Sequence, residues 1–579
     1  MQIKTDHKNF REILSLGEHV IPRYQRRYAW TEQNIRDYWT DLKRTDESHF
    51  LGSMVVCGGD NFSREVVDGQ QRLTTTLIAL VALRDKFEEL GQDKLVEGIK
   101  GYIEYSDDDG IDKYRLTNRD ESARRRLHSD VFLPREHRTS SAAAVEDALE
   151  VQALELFKSM IDEEILEDDD PVEKLRIIRN RILGSTAVYV NVDNRKNAFT
   201  IFETLNDRGR SLTVMDLVKN LVFSELPVNS AHESEDTWAE IVDETENLNF
   251  FRDDPFLYYF WNSSYRNMNG SLEPVEKTRI RREISDLLEG EADPIEARKR
   301  LLNEMHHSAR VARALATVLE TNGDAHAWKE IADRSWRRDK FDGVSRHTYG
   351  VLVAGSVNPL TLLLSLFSSY FQDRERISTQ TLIEFVKTAE CLQFRWSLAQ
   401  KGSTSVIRGT YRRAAVAVAE ARTVAQYKKA LDDFKAQASR ISPSDVSLRD
   451  GITRLSYSPS NSKDVFRMRY ILSELERDMP SSDIDLSSQP SIEHIQGTAG
   501  RSELTNRNSW IYKIGNLTLL PPSVNSQLPE EFEDKTSELR KYVQPADQSL
   551  RTALESGIWG AEGAKARREW ICEWAVTRW

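Results

Sequence analysis

Val66-Val67-Asp68-Gly69-Gln70-Gln71-Arg72-Leu73-Thr74-Thr75 joins a short apolar run to a long helical pattern, so it reads as a strand, a tight turn and a helix start. Gly69 permits the tight backbone path. Asp68 is placed to cap the helix by accepting a backbone N–H. The amides of a helix N-terminus attract an anion such as a phosphate. Arg72, in the first turn, is placed for a bidentate phosphate contact, and Gln70 and Gln71 to orient a water or read a base edge. The same residues also describe an ordinary strand–turn–helix capped by Asp68, and both readings stand. Upstream, Ile21 to Trp30 interleaves Arg23, Arg26 and Arg27 with Tyr24, Tyr28 and Trp30. That mixture supplies cations for phosphates and flat faces for stacking. Its alternative is a surface loop anchored by its aromatics.

A second constellation lies near the other end of the chain. Ser491-Ile492-Glu493-His494-Ile495 reads as a short strand with Glu493 and His494 on opposite faces. Asn516, in Ile514-Gly515-Asn516-Leu517-Thr518-Leu519-Leu520, follows, then Asn525, Phe532 and Lys535. Metal-assisted phosphodiester hydrolysis needs a base for water, oxygen ligands for a hard cation, and a group that steadies the base. His494 fits the base and Asn516 the orienting group. Glu493 and Asn525 can ligate a hard cation, magnesium or another divalent metal, through oxygen. The competing reading is a plain polar Glu-His pair.

These residues require a mixed scaffold. Asn34 to Lys43 puts Ile35, Tyr38, Trp39 and Leu42 on one helix face; Gly52 to Cys57 and Glu65 to Val67 read as strands; Gln70 opens a helix running past Leu83. Ile21 to Gln25 reads as an extended entry begun by Pro22, which would put Tyr24 and Arg26 on one face and Gln25 on the other. From about residue 90 to 440 the pattern is mainly helical, interrupted by the strand-like Thr186 to Val192 and followed by the amphipathic Ala198 to Leu205. The acidic Glu163 to Asp170 reads as solvated loop or helix end. Residues 438–463 and 480–491, rich in Ser, Pro and Asp, are the linker candidates around a helix at Val465 to Leu475. Phe394-Arg395-Trp396 and Arg408 to Arg413 read as a solvated helix face, with contact to DNA as the lesser alternative. The last helix, with Trp570, Trp574 and Trp579, packs on the core.

Composition bounds the rest. At roughly 100–200 residues per domain, 579 residues suggest about three or four domains. A net charge of −13 excludes a generally basic coat and leaves nucleic-acid binding to local grooves. Cys57, Cys391 and Cys572 form no CxxC pair, which argues against a disulfide framework or structural zinc and favours a reducing cytoplasm. The first residues lack the apolar core of a signal peptide, and apolar runs such as Leu360 to Phe367 are short and interrupted, so no membrane partner is expected.

Taken as an ordered set, three pieces resemble the N-terminal module of GmrSD-type restriction enzymes, a module similar to the ParB/sulfiredoxin fold. They are Ile21-Pro22-x-Tyr24-Gln25-Arg26-x-Tyr28-x-Trp30 followed by Phe50-Leu51-Gly52-Ser53; Val67 to Thr75; and Phe202 to Thr213 with Asp216 to Asn220. The resemblance implies that Asp68, Gly69, Gln70, Gln71 and Arg72 bind and hydrolyse a nucleoside triphosphate. It also implies that Glu203, Asn206, Arg208, Asp216 and Lys219 lie near the same pocket. Tyr24, Gln25 and Arg26 are then expected to sense modified DNA or the bound nucleotide; the alternative for Tyr24 is a core anchor. Glu493-His494-Ile495, Ile514 to Leu520, Asn525 and Phe532-x-x-Lys535 resemble the HNH-type (His-Me finger) nuclease of the same family, a ββα-metal scaffold. Two features depart from it: Glu493 stands where Asp is frequent, and Gln496-Gly497 where Pro is frequent.

The expected class is α+β, predominantly helical. It comprises a ParB-like α/β module over 1–225, a helical region over 226–440 and the nuclease module over 441–579. The expected activity is modification-dependent cleavage or nicking of phage DNA, coupled to nucleoside triphosphate hydrolysis. The modification would be a glucosylated base, another base modification or a phosphorothioate; a homodimer is left open. The rivals are a nucleotide-switched non-specific or RNA-directed nuclease, and a DNA-binding regulator with a decayed nuclease.

Overall fold

The computed structural model describes residues 3–44, 49–58, 62–138, 148–166, 168–206, 213–226, 231–246, 248, 255–267, 270–372, 377–399, 404–458, 462–479, 484, 486, 490–497, 509–529 and 531–579. The fold is α+β and predominantly helical. The chain forms two compact units: Met1–Asp243 with Ile284–Asn303, and Glu244–Glu283 with Glu304–Trp579.

The first unit is built on a six-stranded mixed sheet. Its strands are β1 (Ile3–Asn9), β2 (Glu18–Ile21), β3 (Phe50–Cys57), β4 (Ser63–Asp68), β7 (Leu116–Asn118) and β8 (Thr186–Val192); β5 (Glu104–Ser106) and β6 (Asp112–Tyr114) make a separate hairpin. The order is β1-β8-β3-β4-β2-β7. β1–β8 and β3–β4 are antiparallel, while β8–β3, β4–β2 and β2–β7 are parallel. The apolar runs explain the strands: Met54, Val55, Val56 and Val66 are all at 0% exposure.

From β4 the chain turns through Gly69 into the helix Gln70–Glu89, buried around most of its circumference. Such a helix must sit inside other layers, and helices Asp93–Ile103, Leu149–Ile165 and Pro171–Gly184 pack on it. Two of its buried threonines meet tyrosines, Thr75 with Tyr28 at 2.8 Å and Thr76 with Tyr38 at 3.3 Å. Ile35, Tyr38, Trp39 and Leu42 form the buried face of helix Glu32–Arg44, as the spacing predicts. The acidic stretch divides between the end of helix Leu149–Ile165 and the start of Pro171–Gly184, where Asp170 accepts the Glu173 N–H as the cap.

His19 on β2 is fully buried, 3.2 Å from the Tyr189 hydroxyl. Burial, with Arg64 and Arg115 adding to it, pushes the imidazole from 6.5 down to about 3. The unfolded chain therefore binds one more proton than the folded chain between those values, so this histidine lowers stability as pH falls below 6.5. Thermal melts between about pH 7 and 5 are expected to show a falling midpoint, with a shallower fall in His19→Gln. Equal slopes in the two proteins would remove His19 as a cause.

The second unit is a helical assembly closed by a small strand pair. β9 (Ser491–His494) and β10 (Leu517–Leu520) are antiparallel, with Leu517 opposite His494 and Thr518 opposite Glu493. Helices Phe532–Tyr542, Gln548–Ser556 and Ala561–Arg578 follow. Ile495, Leu520, Phe532, Leu539, Leu550 and Trp559 form their common core. The last helix ends on the core as expected: Trp579 stacks on Phe394 at 4.1 Å.

Two expectations for this unit are corrected. Residues 438–463 are mostly not a linker: helix Val424–Ile441 runs into them and helix Asp445–Arg454 lies within them, the latter capped by Ser444, which accepts the Ser447 N–H. Serine and proline mark helix starts here rather than a flexible joint. Most of 480–491 lies outside the described residues. Nor is the Phe394–Trp396 and Arg408–Arg413 surface simply a solvated face. Phe394 and Arg412 are buried. Arg412 holds the carbonyls of Asn262 and Tyr265, and Arg395 pairs with Asp445 at 2.8 Å and donates to the Trp579 carbonyl at 2.9 Å. No described helix is long and apolar enough to cross a membrane.

Two candidate functional sites

The turn between β4 and helix Gln70–Glu89 is shaped by glycine. Gly69 has φ +95°, and a Cβ there would lie 2.6 Å from Met54 Cγ. No side chain caps the helix, so Asp68 is not the cap that its position suggests. Asp68 instead accepts Arg72 Nη2 at 3.1 Å, while Arg72 Nη1 donates to the Leu51 carbonyl at 2.6 Å. Gly52, at φ +85°, leaves room for that guanidinium, since a Cβ would come 2.6 Å from Nη1. Arg72 is thus spent on the scaffold around the turn rather than held out for a bidentate ligand.

The two glutamines are spent likewise. Gln70 Nε2 donates to the Arg26 carbonyl, and Gln71 donates to the Arg27 carbonyl at 3.1 Å while accepting the Ala29 N–H at 2.8 Å. They clamp the Arg26–Ala29 backbone to the helix start.

That segment is not extended. The Gln25 N–H bonds the Pro22 carbonyl at 3.1 Å, closing a turn. The turn separates Tyr24 from Arg26, which an extended chain would have aligned. Tyr24 is 2% exposed, stacks on Phe223 at 4.7 Å and donates to Glu65 Oε1 at 2.6 Å. Its role here is the anchor. Arg26 is exposed, and Gln25, half-buried, donates to the Val67 carbonyl at 2.8 Å.

Lys219 approaches Gln25 Oε1 at 3.4 Å and Asp216 Oδ1 at 3.5 Å, and is 6% exposed. Burial pushes its ammonium pKa down, opposed by Asp216, and Arg26 lowers it further. Burial raises the Asp216 carboxyl, but Lys219, Thr213 and Arg26 more than offset this and hold it below the usual range. Asp216 also completes a capping box with Thr213 at the start of helix Val214–Phe223. Asn220 donates to Glu203 at 3.4 Å. Asn206 ends helix Arg195–Asn206, its side chain outside the described set, and Arg208 lies outside the described residues. The described members thus gather as follows: Gln25, Asp216 and Lys219 meet, with Arg26 and Asp68 close enough to act on the Lys219 charge.

Behind them is a buried ionic cluster that sequence reasoning does not pick out. Arg195 donates to both oxygens of Glu65, at 2.8 and 2.5 Å, and to Glu235 at 2.8 Å. Arg119 adds contacts of 3.3 Å to Glu65 and 3.2 Å to Glu235. Burial disfavours the Arg195 charge, yet Glu65, Tyr24 and Glu235 hold its pKa above the ordinary value. The legible signal was Glu65 itself, an acidic residue leading into the apolar Val66-Val67 of a strand, which must find a partner when buried.

In the second unit, β9 carries Ser491 and Glu493 on one face and His494 on the other. The His494 ring meets Tyr457 and Tyr512 edge-on at 5.1 and 5.9 Å, both at 89°. Lys535, 1% exposed, pairs with Glu493 Oε1 and donates to the His494 carbonyl at 2.8 Å. Asn525 ends the short helix Pro522–Asn525 and donates to Ser491 Oγ at 2.8 Å.

Asn516 is fully buried and does not orient the His494 ring. Its Nδ2 donates to the carbonyls of Gln496 and Ile511 at 3.0 and 2.9 Å, and its Oδ1 accepts from Gln496 N and Trp559 Nε1 at 3.0 and 2.8 Å. It fastens the turn before β10 to the end of β9. Arg567, paired with Asp547 at 2.5 Å, secures the same turn through the Gly515 and Leu517 carbonyls.

The donor set suits a hard cation. Glu493 Oε2 and Asn525 Oδ1 make no hydrogen bond among the described residues. One carboxylate with neutral oxygens and water is the coordination magnesium accepts. No cluster of three His, Cys, Asp or Glu residues that could hold a metal occurs among the described residues.

The model of the GmrSD restriction endonuclease N-terminal domain matches residues 10–223, and that of the GmrSD C-terminal domain matches residues 442–574. The first match takes in the turn at Gly69, Lys219 and the Glu65–Arg195 pair; the second takes in β9, β10 and Lys535. No curated protein matches the chain. With both matched regions in one polypeptide, together over half its length, the chain belongs to the GmrSD type IV restriction endonucleases and is a restriction nuclease acting on DNA.

Proposed function

We propose that the chain cuts modified phage DNA, with an HNH-type ββα-metal site at β9 and β10 under the control of a nucleoside triphosphate bound by a ParB-like first unit. The observation that carries this reading is the pairing on one strand of His494, set between two tyrosines, with Glu493, whose second oxygen is uncommitted. His494 is the general base that takes the proton of the attacking water. Glu493 and Asn525 would hold a divalent cation, which would supply electrostatic stabilisation of the charge developing on the phosphate. Lys535 neutralises the other Glu493 oxygen and, through the His494 carbonyl, fixes the strand end that carries the base. Asn516 acts through the backbone turn.

For the first unit, phosphate binding at the helix start finds support in the helix start without a side-chain cap, the left-handed Gly69, the exposed Arg26 and the buried Lys219. Asp68, Gln70, Gln71 and Arg72 build this loop rather than reach from it. Sensing of the modification falls to Gln25 and Arg26, with Tyr24 supporting them from the core. A cytoplasmic location agrees with free Cys57, Cys391 and Cys572.

The test is cleavage of modified and plain phage DNA with and without magnesium and nucleotide. Cutting is expected on modified DNA only, with both additions, and is lost on chelation. Undiminished cutting in a chelator would overturn the metal assignment. Equal cutting of both DNAs would overturn modification dependence, and indifference to nucleotide would overturn the coupling.

A further inference from the structure

Outside the groups assigned to the reaction, the second unit gathers cations beside His494. The Tyr512 ring stands against His494, and the Tyr512 carbonyl accepts the Tyr457 N–H at 2.8 Å, so the two rings that flank the histidine are tied together. Lys513 is the next residue. Its Nζ donates to the Arg454 carbonyl at 3.3 Å, while the Arg454 guanidinium itself is turned away to the Leu398 carbonyl at 3.0 Å. A second cation comes from helix Ala561–Arg578: a Cβ on Gly515 would lie 3.0 Å from Arg568 Cβ, so that helix passes directly over the Lys513–Gly515 turn.

Neither Lys513 nor Arg568 has an ion-pair partner among the described residues. Both are half-buried. Burial, then the field of Arg568, pushes the Lys513 ammonium pKa down; Asp464, which opposes this, is itself 3.5 Å from Arg467. The chain carries a net charge of −13, and many of its described arginines and lysines meet carboxylates. Like charges held together cost stability. A polyanion laid across them removes that cost.

We propose that Lys513 and Arg568 form the phosphate-gripping edge of the nuclease site, holding the DNA backbone beside the bond presented to His494. The inference rests on the His494 reading for what the edge serves, but not for whether it binds DNA. Two neighbouring cations without an ion-pair partner among the described residues suit a polyanion laid across both. Such contacts carry no base or modification preference. They are positioning residues, distinct from the sensor in the first unit.

The experiment measures DNA affinity of the full chain against salt concentration, for wild type, Lys513→Gln, Arg568→Gln and the double variant, on modified and plain DNA. Glutamine keeps an apolar stem for packing. Each single change is expected to make the log–log salt slope shallower by about 0.9, and the double by about twice that, equally on both DNAs. In cleavage, KM should rise while kcat at saturating DNA is kept, and Arg568→Lys should restore the slope. An unchanged slope in a double variant that melts like wild type would overturn the proposal. So would a loss confined to modified DNA, which would make these residues part of the sensor. Because binding is measured without turnover, failure of the His494 assignment would leave this result standing, and failure here would leave His494-dependent cleavage intact.

Discussion

His494→Ala is expected to lower the rate of DNA cleavage by about 10²–10⁴-fold while leaving the fold and nucleotide hydrolysis unchanged. The half-buried imidazole meets Tyr457 and Tyr512 through ring edges. Its removal leaves β9 itself in place, because the strand is held by pairing with β10 and by Lys535 on the His494 carbonyl, and neither needs the ring. Single-turnover cleavage with excess enzyme isolates the chemical step. Unaltered DNA affinity with slow cleavage would identify the base. Near-wild-type cleavage by the variant would sink this assignment and with it the reading of Glu493 as the adjacent metal ligand.

The largest stability effect is expected at a residue with no part in chemistry. Arg195→Met should destabilise the first unit by about 3–5 kcal/mol, because removing one member of a buried ion cluster leaves the others uncompensated. Arg195 is 5% exposed, Glu65 is 8% and Glu235 is 0%. Arg119 reaches both acids, but at 3.2–3.3 Å and without the paired geometry that Arg195 makes with Glu65. The Tyr24 hydroxyl would lose its fixed acceptor, since Glu65 is oriented by Arg195. Urea unfolding followed by a first-unit probe measures the change. Arg195→Met combined with Glu65→Met should recover part of the loss, as apolar replacement of a whole buried pair commonly does. A single-variant effect below about 1 kcal/mol would mean that Arg119 alone satisfies both carboxylates.

Much of the scaffold was legible because local patterning and burial agree. The four apolar positions of Glu32–Arg44, the strand Thr186–Val192 and the helix opened by Gln70 are repeats of 3.6 or runs of β-branched residues, which a buried element must have. The Ser- and Pro-rich stretch 438–463 misleads for an equally local reason, since the residues that favour loops are also those that cap helices, and Ser444 does so. At the sites, residue types were legible and their partners were not. A capping carboxylate and a carboxylate that holds an arginine look alike in sequence, and Asp68 is the second kind.

The sequence by itself determined the mixed α and β composition, the turn at Gly69, the strand carrying Glu493 and His494, and membership of a restriction-enzyme family, because each depends on residue types at short, ordered spacing. Only the tertiary structure decided which polar groups remain available. It turned Tyr24 inward onto Glu65, committed Gln70, Gln71 and Arg72 to backbone carbonyls, and gave all four hydrogen bonds of Asn516 to neighbours other than His494. It also joined Glu65 to Arg195 across 130 residues. The reason is physical. A hydrogen-bonding side chain binds whatever complementary group the packed core brings within about 3 Å. Which group that is depends on contacts between distant segments, whose distances local spacing does not contain.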